Sequence, residues 1–166
     1  GSLRLFAALP LPENTADTLE RWCRGWLEGR PGVRLVPRGN LHLTLKFYGE
    51  YPLERARREL ERAWRLGDGE PLGFDLTETG VFSGRVLWAG GSFSPGVGLL
   101  AAALGEKNHK PHVTVARLSR GAPPLSPPPL PPGLSGVFPG MALMESTLTP
   151  GGPLYRQVAF LTRGLP

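Results

Sequence analysis

Two short segments of this 166-residue chain carry the same residue types in the same order, and each begins with a histidine. The first is His42-Leu43-Thr44-Leu45 and the second is His112-Val113-Thr114-Val115. If each segment is a β-strand, side chains two residues apart point to the same face. The histidine and the threonine then share one face, and the apolar residues share the other. The pattern predicts two strands that each present an imidazole beside a hydroxyl and are anchored by apolar packing.

The duplication of this pattern carries more weight than either copy. The chain has three histidines, and 40% of its residues are apolar. Chance would place two of three histidines in such a pattern with odds on the order of 10⁻⁴ to 10⁻³. A single histidine of this kind is more often a hydrogen-bonded structural residue. The pair favours a functional role.

Two imidazoles and two hydroxyls suit the hydrolysis of a cyclic phosphodiester. One group must take a proton from water, and another must protonate the departing ribose oxygen. Imidazole has a pKa near 6.5 and can serve either role around neutrality. The hydroxyls of Thr44 and Thr114 can donate to the non-bridging phosphate oxygens, where negative charge is held in the transition state. The pattern does not say whether His42 or His112 is the acid.

The sequence lacks the cluster of ligands that a catalytic metal ion would require. No carboxylate cluster accompanies the histidines, as a zinc or two-metal site would require, and we expect no bound metal. Cys23 is the sole cysteine, which excludes an intrachain disulfide and a cysteine-based zinc site. Its neighbours are apolar at helical spacing, so a position in the core is expected.

The charge balance and hydropathy narrow the class of partner and the compartment. The net charge of +5, from 19 Lys and Arg against 14 Asp and Glu, favours an anionic partner such as nucleic acid, although it also serves solubility. No segment approaches the ~20 apolar residues of a membrane span. Leu3–Pro12 is interrupted by Arg4 and is followed by no cleavage site for a signal peptidase, so it is interpreted as a strand. These features predict a cytoplasmic, monomeric protein that does not bind membranes.

Short strands with few, separated helices predict an α+β fold with largely antiparallel sheets. The chain is interpreted as one domain over residues 1–166. Seven of the thirteen residues from Gly121 to Gly133 are proline, which predicts an extended surface connection. The expected helices are Glu13–Glu28, a second that starts near Pro52 and ends near Trp64, and Val97–Leu104; the expected strands are Leu3–Leu9, Val33–Val36, His42–Tyr48, Leu72–Glu78, Arg85–Ala89, Pro111–Leu118, Met141–Thr149 and Leu154–Thr162.

The segments around both histidines closely resemble the two signature segments of the 2H phosphoesterases. The resemblance is carried by Asn40-Leu41-His42-Leu43-Thr44-Leu45-Lys46-Phe47-Tyr48-Gly49 and by Lys110-Pro111-His112-Val113-Thr114-Val115-Ala116-Arg117. The subgroup it resembles most is the RNA 2′,3′-cyclic phosphodiesterase family, also called 2′-5′ RNA ligase. Similarities at the opening strand, the strand at Arg85–Gly90 and the final hairpin extend the resemblance over nearly the whole chain.

The resemblance implies two pseudo-symmetric lobes whose antiparallel sheets face a central cleft, with helices on the outside and one His-x-Thr motif from each lobe. It implies hydrolysis of an RNA-terminal 2′,3′-cyclic phosphate to a 2′-phosphate without a cofactor, and a possible reverse 2′-5′ ligation. The family commonly has an aliphatic residue at Tyr48 and arginine at Lys110. Lysine at the latter position replaces a bidentate fork by a point charge.

Other candidate contacts surround the histidines. Strict alternation places Lys46 on the face of His42 and places Arg117 on the face opposite His112. The family motif carries a basic residue at Arg117, and a β-bulge would bring it round to a substrate phosphate. Further possible substrate contacts are Lys110 and Tyr48, and the rings considered for base stacking are Tyr48, Phe82 and Trp88. His109 is interpreted as an exposed bystander.

Two alternatives to RNA-end hydrolysis are left open. The chain could be a module that binds RNA ends without turnover, or a phosphodiesterase that acts on a small cyclic nucleotide. The presence of both histidines and both threonines argues against the first, and the basic charge balance argues weakly against the second.

Overall fold

The structure is a computed structural model that describes residues 1–67 and 69–162. This part of the chain forms three α-helices and nine strands. The helices are α1 (Glu13–Leu27), α2 (Leu53–Leu66) and α3 (Pro95–Ala103), and a short 3₁₀-helix spans Arg38–Asn40. The strands are β1 (Ser2–Pro10), β2 (Val33–Leu35), β3 (His42–Pro52), β4 (Gly73–Phe82), β5 (Val86–Phe93), β6 (Val113–Leu118), β7 (Ser135–Val137), β8 (Met141–Thr149) and β9 (Gly152–Leu161).

All nine strands belong to one antiparallel sheet. Its order is β7-β4-β5-β6-β3-β1-β8-β9, and β2 pairs with β6 beside this path. Strands β3 and β6 meet through the single pair Leu43 and Val113. The sheet therefore has a first half (β3, β1, β8 and β9) and a second half (β6, β5, β4 and β7, with β2). The strands that carry the two motifs lie at the junction of the halves.

The helices cover the apolar face of the sheet. Helix α2 packs on the first half through Ala56, Leu60, Ala63 and Trp64. Helix α1 packs on β2 and β6 of the second half, and Cys23 is buried on its inner face, as expected from the sequence. The leucines and valines of both motifs, such as Leu43 and Val113, are fully buried in the same core. This packing fixes which face of each motif strand is left for the histidines.

The α+β class and the antiparallel strand pairing predicted from the sequence are confirmed. The sheets expected for two separate lobes are joined into a single sheet through Leu43 and Val113. Three strands end four residues later than predicted, β3 at Pro52, β4 at Phe82 and β5 at Phe93. Strand β6 begins at Val113, so His112 lies directly before it. The remaining predicted boundaries lie within two residues of the observed ones. Strand β7 was not predicted. The proline-rich connection contains neither helix nor strand, and its Pro129 carbonyl accepts a hydrogen bond of 3.0 Å from Trp22 Nε1. No described helix is long and apolar enough to cross a bilayer.

Candidate active site

Strand β3 contains a β-bulge at Leu45, directly after Thr44. Ala8 pairs with Thr44 and Ala7 pairs with Lys46, so Leu45 has no partner of its own on β1. A bulge adds one residue to a strand and reverses the alternation of the side chains beyond it. Phe47 therefore joins His42 and Thr44 in lining the central cleft instead of continuing the buried face of Leu43.

Strand β6 contains a β-bulge at the same position of its motif. Trp88 of β5 pairs with Thr114 and Leu87 pairs with Ala116, which leaves Val115 as the extra residue. Arg117 is thereby turned to the side of His112 and lines the cleft with it. The sequence had offered a bulge as the way to bring Arg117 round, and the register of β5 and β6 contains one.

The junction of the halves sets the relative position of the two motifs. Leu43 lies opposite Val113 in an antiparallel pair. The two strands of such a pair run in opposite directions. His42 therefore lies on the side of Thr114, and Thr44 lies on the side of His112. Both histidines and both threonines line one cavity of about 330 Å³. This volume is at the lower end of the range typical of small-molecule sites.

His42 is held by its own chain segment. Its Nδ1 lies 2.6 Å from the carbonyl oxygen of Asn40, which can only accept, so Nδ1 carries the proton and donates it. Nε2 then faces the cleft, 3.0 Å from Thr44 Oγ1. Burial lowers the pKa of His42, and the positive charges of Arg117 and His112 lower it further, against the effect of the Asn40 hydrogen bond. The neutral imidazole is favoured at this position.

His112 is oriented in the same way. Its Nδ1 lies 2.8 Å from the carbonyl oxygen of Lys110, two residues before it, as Asn40 is two residues before His42. The ring of Phe82 contacts His112 edge-on at a centroid distance of 5.0 Å, and Phe82 stacks on Trp88 at 5.2 Å. On the other side of the cleft, Phe6 lies 5.1 Å from His42. Both imidazoles are therefore fixed by a backbone carbonyl and an aromatic ring.

The cavity is positively charged. Arg34 and Arg117 line it, and no carboxylate does among the described residues. Besides the motif residues, its lining comprises Arg34, Leu35, Val36, Pro37, Asn40, Phe47, Phe82, Val86, Gly151, Gly152, Pro153 and Tyr155. The described chain contains no group of three or more His, Cys, Asp or Glu side chains that could hold a metal ion.

Three of the weaker site candidates lie outside this cavity. Lys46 Nζ donates to the carbonyl oxygen of Leu104 at 2.6 Å, so its charge is engaged with the backbone. Tyr48 packs against Tyr51 at a ring distance of 4.7 Å. Lys110 lies in an adjoining cavity, as does Lys46, and its carbonyl is the group that holds His112.

His109 is not the exposed bystander expected from the sequence. It is half-buried, and its Nε2 donates to the carbonyl oxygen of Thr44 at 2.7 Å. It thereby ties the segment that leads into β6 to β3.

Several lining residues were not found by reasoning from the sequence. Phe47 is 72% exposed although alternation places it with the buried Leu43 and Leu45. Tyr155 of β9 lies edge-on to His42 at 5.8 Å. Arg34 lies on β2, directly opposite Arg117. Of these, only Arg34 had a signal in the sequence, since it is a charged residue in a short strand between apolar ones.

Comparisons with known proteins agree with this geometry. The family model described as LigT-like phosphoesterase matches residues 9–88. The RNA 2′,3′-cyclic phosphodiesterase of Thermus thermophilus is 37% identical, over 92% of this chain and 86% of the relative. The protein of the same name from Archaeoglobus fulgidus is 29% identical, over 94% and 98%.

Solved structures show the same fold. Escherichia coli LigT in complex with 3′-AMP superposes with a TM-score of 0.81 at 27% identity, covering 98% of both chains. Protein TT0787 of T. thermophilus superposes with a TM-score of 0.77 at 33% identity, covering 98% of this chain and 99% of that one. An antiparallel α+β fold with two His-x-Thr strands at one cleft defines a 2H phosphoesterase. Within that class, the chain belongs to the LigT-like phosphoesterase family.

Proposed function

We propose that this phosphoesterase opens the 2′,3′-cyclic phosphate at the end of an RNA, with His42 and His112 as its acid–base pair. The observation that carries the proposal is the antiparallel junction at Leu43 and Val113, which brings both motifs to one cavity. The names of the relatives from T. thermophilus and A. fulgidus support the substrate, and the net charge of +5 suits a polyanion.

The reaction divides into two proton transfers. One imidazole takes a proton from water through Nε2 as the water oxygen attacks phosphorus. The bond between phosphorus and O3′ breaks, and the other imidazole, protonated at the start, gives its proton to O3′. The products are a 2′-phosphomonoester and a free 3′-hydroxyl. The hydrogen bonds from Nδ1 to Asn40 and Lys110 leave Nε2 of each ring for these transfers.

The threonines and Arg117 stabilise the charge on phosphate. The distance of 3.0 Å between Thr44 Oγ1 and His42 Nε2 means that a phosphate oxygen bound to the hydroxyl lies beside the nitrogen that moves the proton. Thr114 has the corresponding position on β6. The guanidinium of Arg117 contributes charge-assisted hydrogen bonds to the non-bridging oxygens.

The lowered pKa of His42 suggests the direction of proton flow. A half-buried, neutral imidazole near Arg117 is suited to accept the proton of water, which makes His112 the acid toward O3′. If the 5′-hydroxyl of a second RNA replaces water, the same two transfers join the ends by a 2′-5′ linkage. Ligation thus requires no further group.

The experiment is a turnover assay on an oligoribonucleotide that ends in a 2′,3′-cyclic phosphate. We expect its conversion to a species heavier by one water, and resistance of the product to a 3′-specific phosphatase would place the phosphate on O2′. Tight binding of the oligonucleotide without turnover would contradict the proposal and identify an RNA-end binding module. Turnover of a mononucleotide but not of the oligonucleotide would identify a small cyclic nucleotide as the substrate.

A further inference from the structure

A second arginine stands beside Arg117 in the cleft. Strands β2 and β6 are antiparallel, and Arg34 is the residue directly opposite Arg117. The Cα atoms of such a pair are roughly 5 Å apart, and both side chains point to the same face of the sheet. Both arginines line the cavity that holds the histidines, and both also line a second cavity that adjoins it at the edge of β2.

The positive charges of Arg34 and Arg117 are not balanced by a neighbouring carboxylate in the described part of the chain. Like charges directly opposite each other on neighbouring strands are destabilising. In the part of the chain that the structure describes, neither guanidinium has a carboxylate partner, whereas Arg38 pairs with Asp17 at 2.6 Å and Arg156 pairs with Glu145 at 2.8 Å. Two arginines that lie opposite each other and have no carboxylate partner in the described chain are suited to bind an anion, which would supply the missing negative charge.

The position of Arg34 is set by the hairpin of β8 and β9. Gly152 has a φ angle of +114°, and an added Cβ there would lie 3.0 Å from Arg34 Nη1 and 3.7 Å from its Cδ. The arginine side chain thus packs over a glycine that belongs to the other half of the sheet. This contact holds the guanidinium at the end of the cleft although Arg34 is exposed.

We infer that Arg34 binds a second phosphate of the substrate, the one on the 5′ side of the terminal nucleotide. The inference rests on the proposed function, in which Arg117 contacts the cyclic phosphate. Arg117 lies on the same strand and the same face as Thr114, whereas Arg34 lies on the neighbouring strand β2, one strand away from His112. Because the next phosphate of an RNA strand lies one sugar away from the reactive one, the two arginines bind successive phosphates. The enzyme then selects a nucleotide that continues in the 5′ direction.

Two substrates that differ by one phosphate test this assignment. They are adenosine 2′,3′-cyclic phosphate with a 5′-hydroxyl and the same compound with a 5′-phosphate. We expect kcat/KM to be about tenfold higher for the 5′-phosphate, mainly through KM, because one charge-assisted contact at an exposed site is gained. In Arg34→Gln this ratio should fall to near one, and in Arg34→Lys it should be intermediate, because lysine keeps the charge and loses the fork.

The matched control is Arg58→Gln. Arg58 is an exposed arginine on α2 outside the cleft, so its removal changes the net charge equally and should leave the ratio at its wild-type value. The melting temperature of Arg34→Gln should stay equal or rise, since a like-charge pair is removed. A ratio of one in the wild type, or an equal loss on both substrates in Arg34→Gln, would overturn the inference.

A binding measurement separates this inference from the proposed function. Adenosine 2′-phosphate and adenosine 2′,5′-bisphosphate are titrated into the protein by calorimetry. Tighter binding of the bisphosphate that is lost in Arg34→Gln supports the second phosphate site even if neither cyclic substrate turns over. Equal affinity for the two ligands overturns it even if both cyclic substrates are hydrolysed.

Discussion

Leu43 of β3 lies opposite Val113 of β6, and through this single residue pair the two halves of the described sheet are hydrogen-bonded. Both side chains are fully buried, so the pair is fixed by the core as well as by the backbone. Since each is the central residue of its His-x-Thr motif, the pairing fixes the histidine of each half near the threonine of the other.

Replacing either cleft histidine should nearly abolish turnover. His42→Ala and His112→Ala are each expected to lower kcat on a cyclic-phosphate RNA end by at least ~10²-fold, the usual effect of losing an acid or base. His109→Gln is the matched control, because His109 contacts the backbone of Thr44 and does not line the cavity. We expect less than a tenfold loss there. Near wild-type turnover in either cleft variant would refute the two-histidine mechanism.

The threonines should contribute less than the histidines. Thr44→Ala and Thr114→Ala each remove one hydrogen bond to phosphate and leave the acid and base in place, so we expect a roughly ten- to hundredfold loss of kcat/KM. Thr147→Ala, at an exposed position of β8, should have wild-type kinetics. A loss as large as that of the histidine variants would assign the threonines to proton transfer.

The pH dependence should reflect the lowered pKa of His42. Its causes are burial first and then the charges of Arg117 and His112, so His42 is neutral above a pKa that lies below the ordinary value near 6.5. As a base it becomes active as the pH rises through that pKa, which places the acidic limb of the rate profile below pH 6.5. In Arg117→Gln one cause is removed, and the His42 pKa, followed by NMR, should move upward. A downward shift or none would contradict this electrostatic account.

The lowered pKa of His42 also makes the stability of the protein depend on pH. A histidine whose pKa is lower in the folded than in the unfolded state contributes stability that is fully present above the unfolded pKa. That contribution is lost as the pH falls through the folded pKa. We therefore expect the free energy of unfolding of the wild type to fall more steeply below pH 6.5 than that of His42→Asn, measured by urea denaturation at several pH values. Parallel curves would contradict the assignment.

A substrate with a good leaving group should separate the two histidines. An activated aryl phosphodiester needs no proton on its leaving oxygen, so loss of the acid should matter little and loss of the base should stay severe. With His42 as the base, we expect the activated substrate to restore turnover in His112→Ala but not in His42→Ala. Rescue of His42→Ala alone would reverse the roles. Equal impairment of both variants would mean that the imidazoles bind phosphate jointly.

The wall behind His112 depends on a glycine. Gly80 pairs with Trp88, and a Cβ at Gly80 would lie 2.2 Å from Trp88 Cζ2. Gly80→Ala must displace the indole on which Phe82 stacks, so we expect destabilisation by about 1–3 kcal/mol and reduced turnover. Gly98→Ala is the matched control, because a Cβ has open space there in helix α3, and it should be neutral or stabilising. Equal melting temperatures in the two variants would contradict the packing argument.

The sequence contained the main features of the site because they depend on local periodicity. Alternation predicted that His42 and Thr44 share a face, and the apolar partners Leu43 and Leu45 predicted the buried side. Alternation failed at Phe47, since the bulge at Leu45 arises from pairing with β1 and leaves no local signal. The same limit hid β7, three residues long, whose strand conformation depends on pairing with β4. The pairing of Arg34 with Arg117 is likewise a property of the register between distant segments.

The two bulges also make the two sides of the cleft chemically different. Five residues after each histidine, the strand returns a side chain to the cleft, and this side chain is Phe47 on β3 and Arg117 on β6. The two bulges therefore place an aromatic ring on one side of the cleft and a positive charge on the other. A ligand with a flat apolar end and an anionic end matches only one of the two orientations that the repeat would otherwise make equivalent. The two ends of the cleft are thus different, and two histidines that belong to the same His-x-Thr motif are not interchangeable.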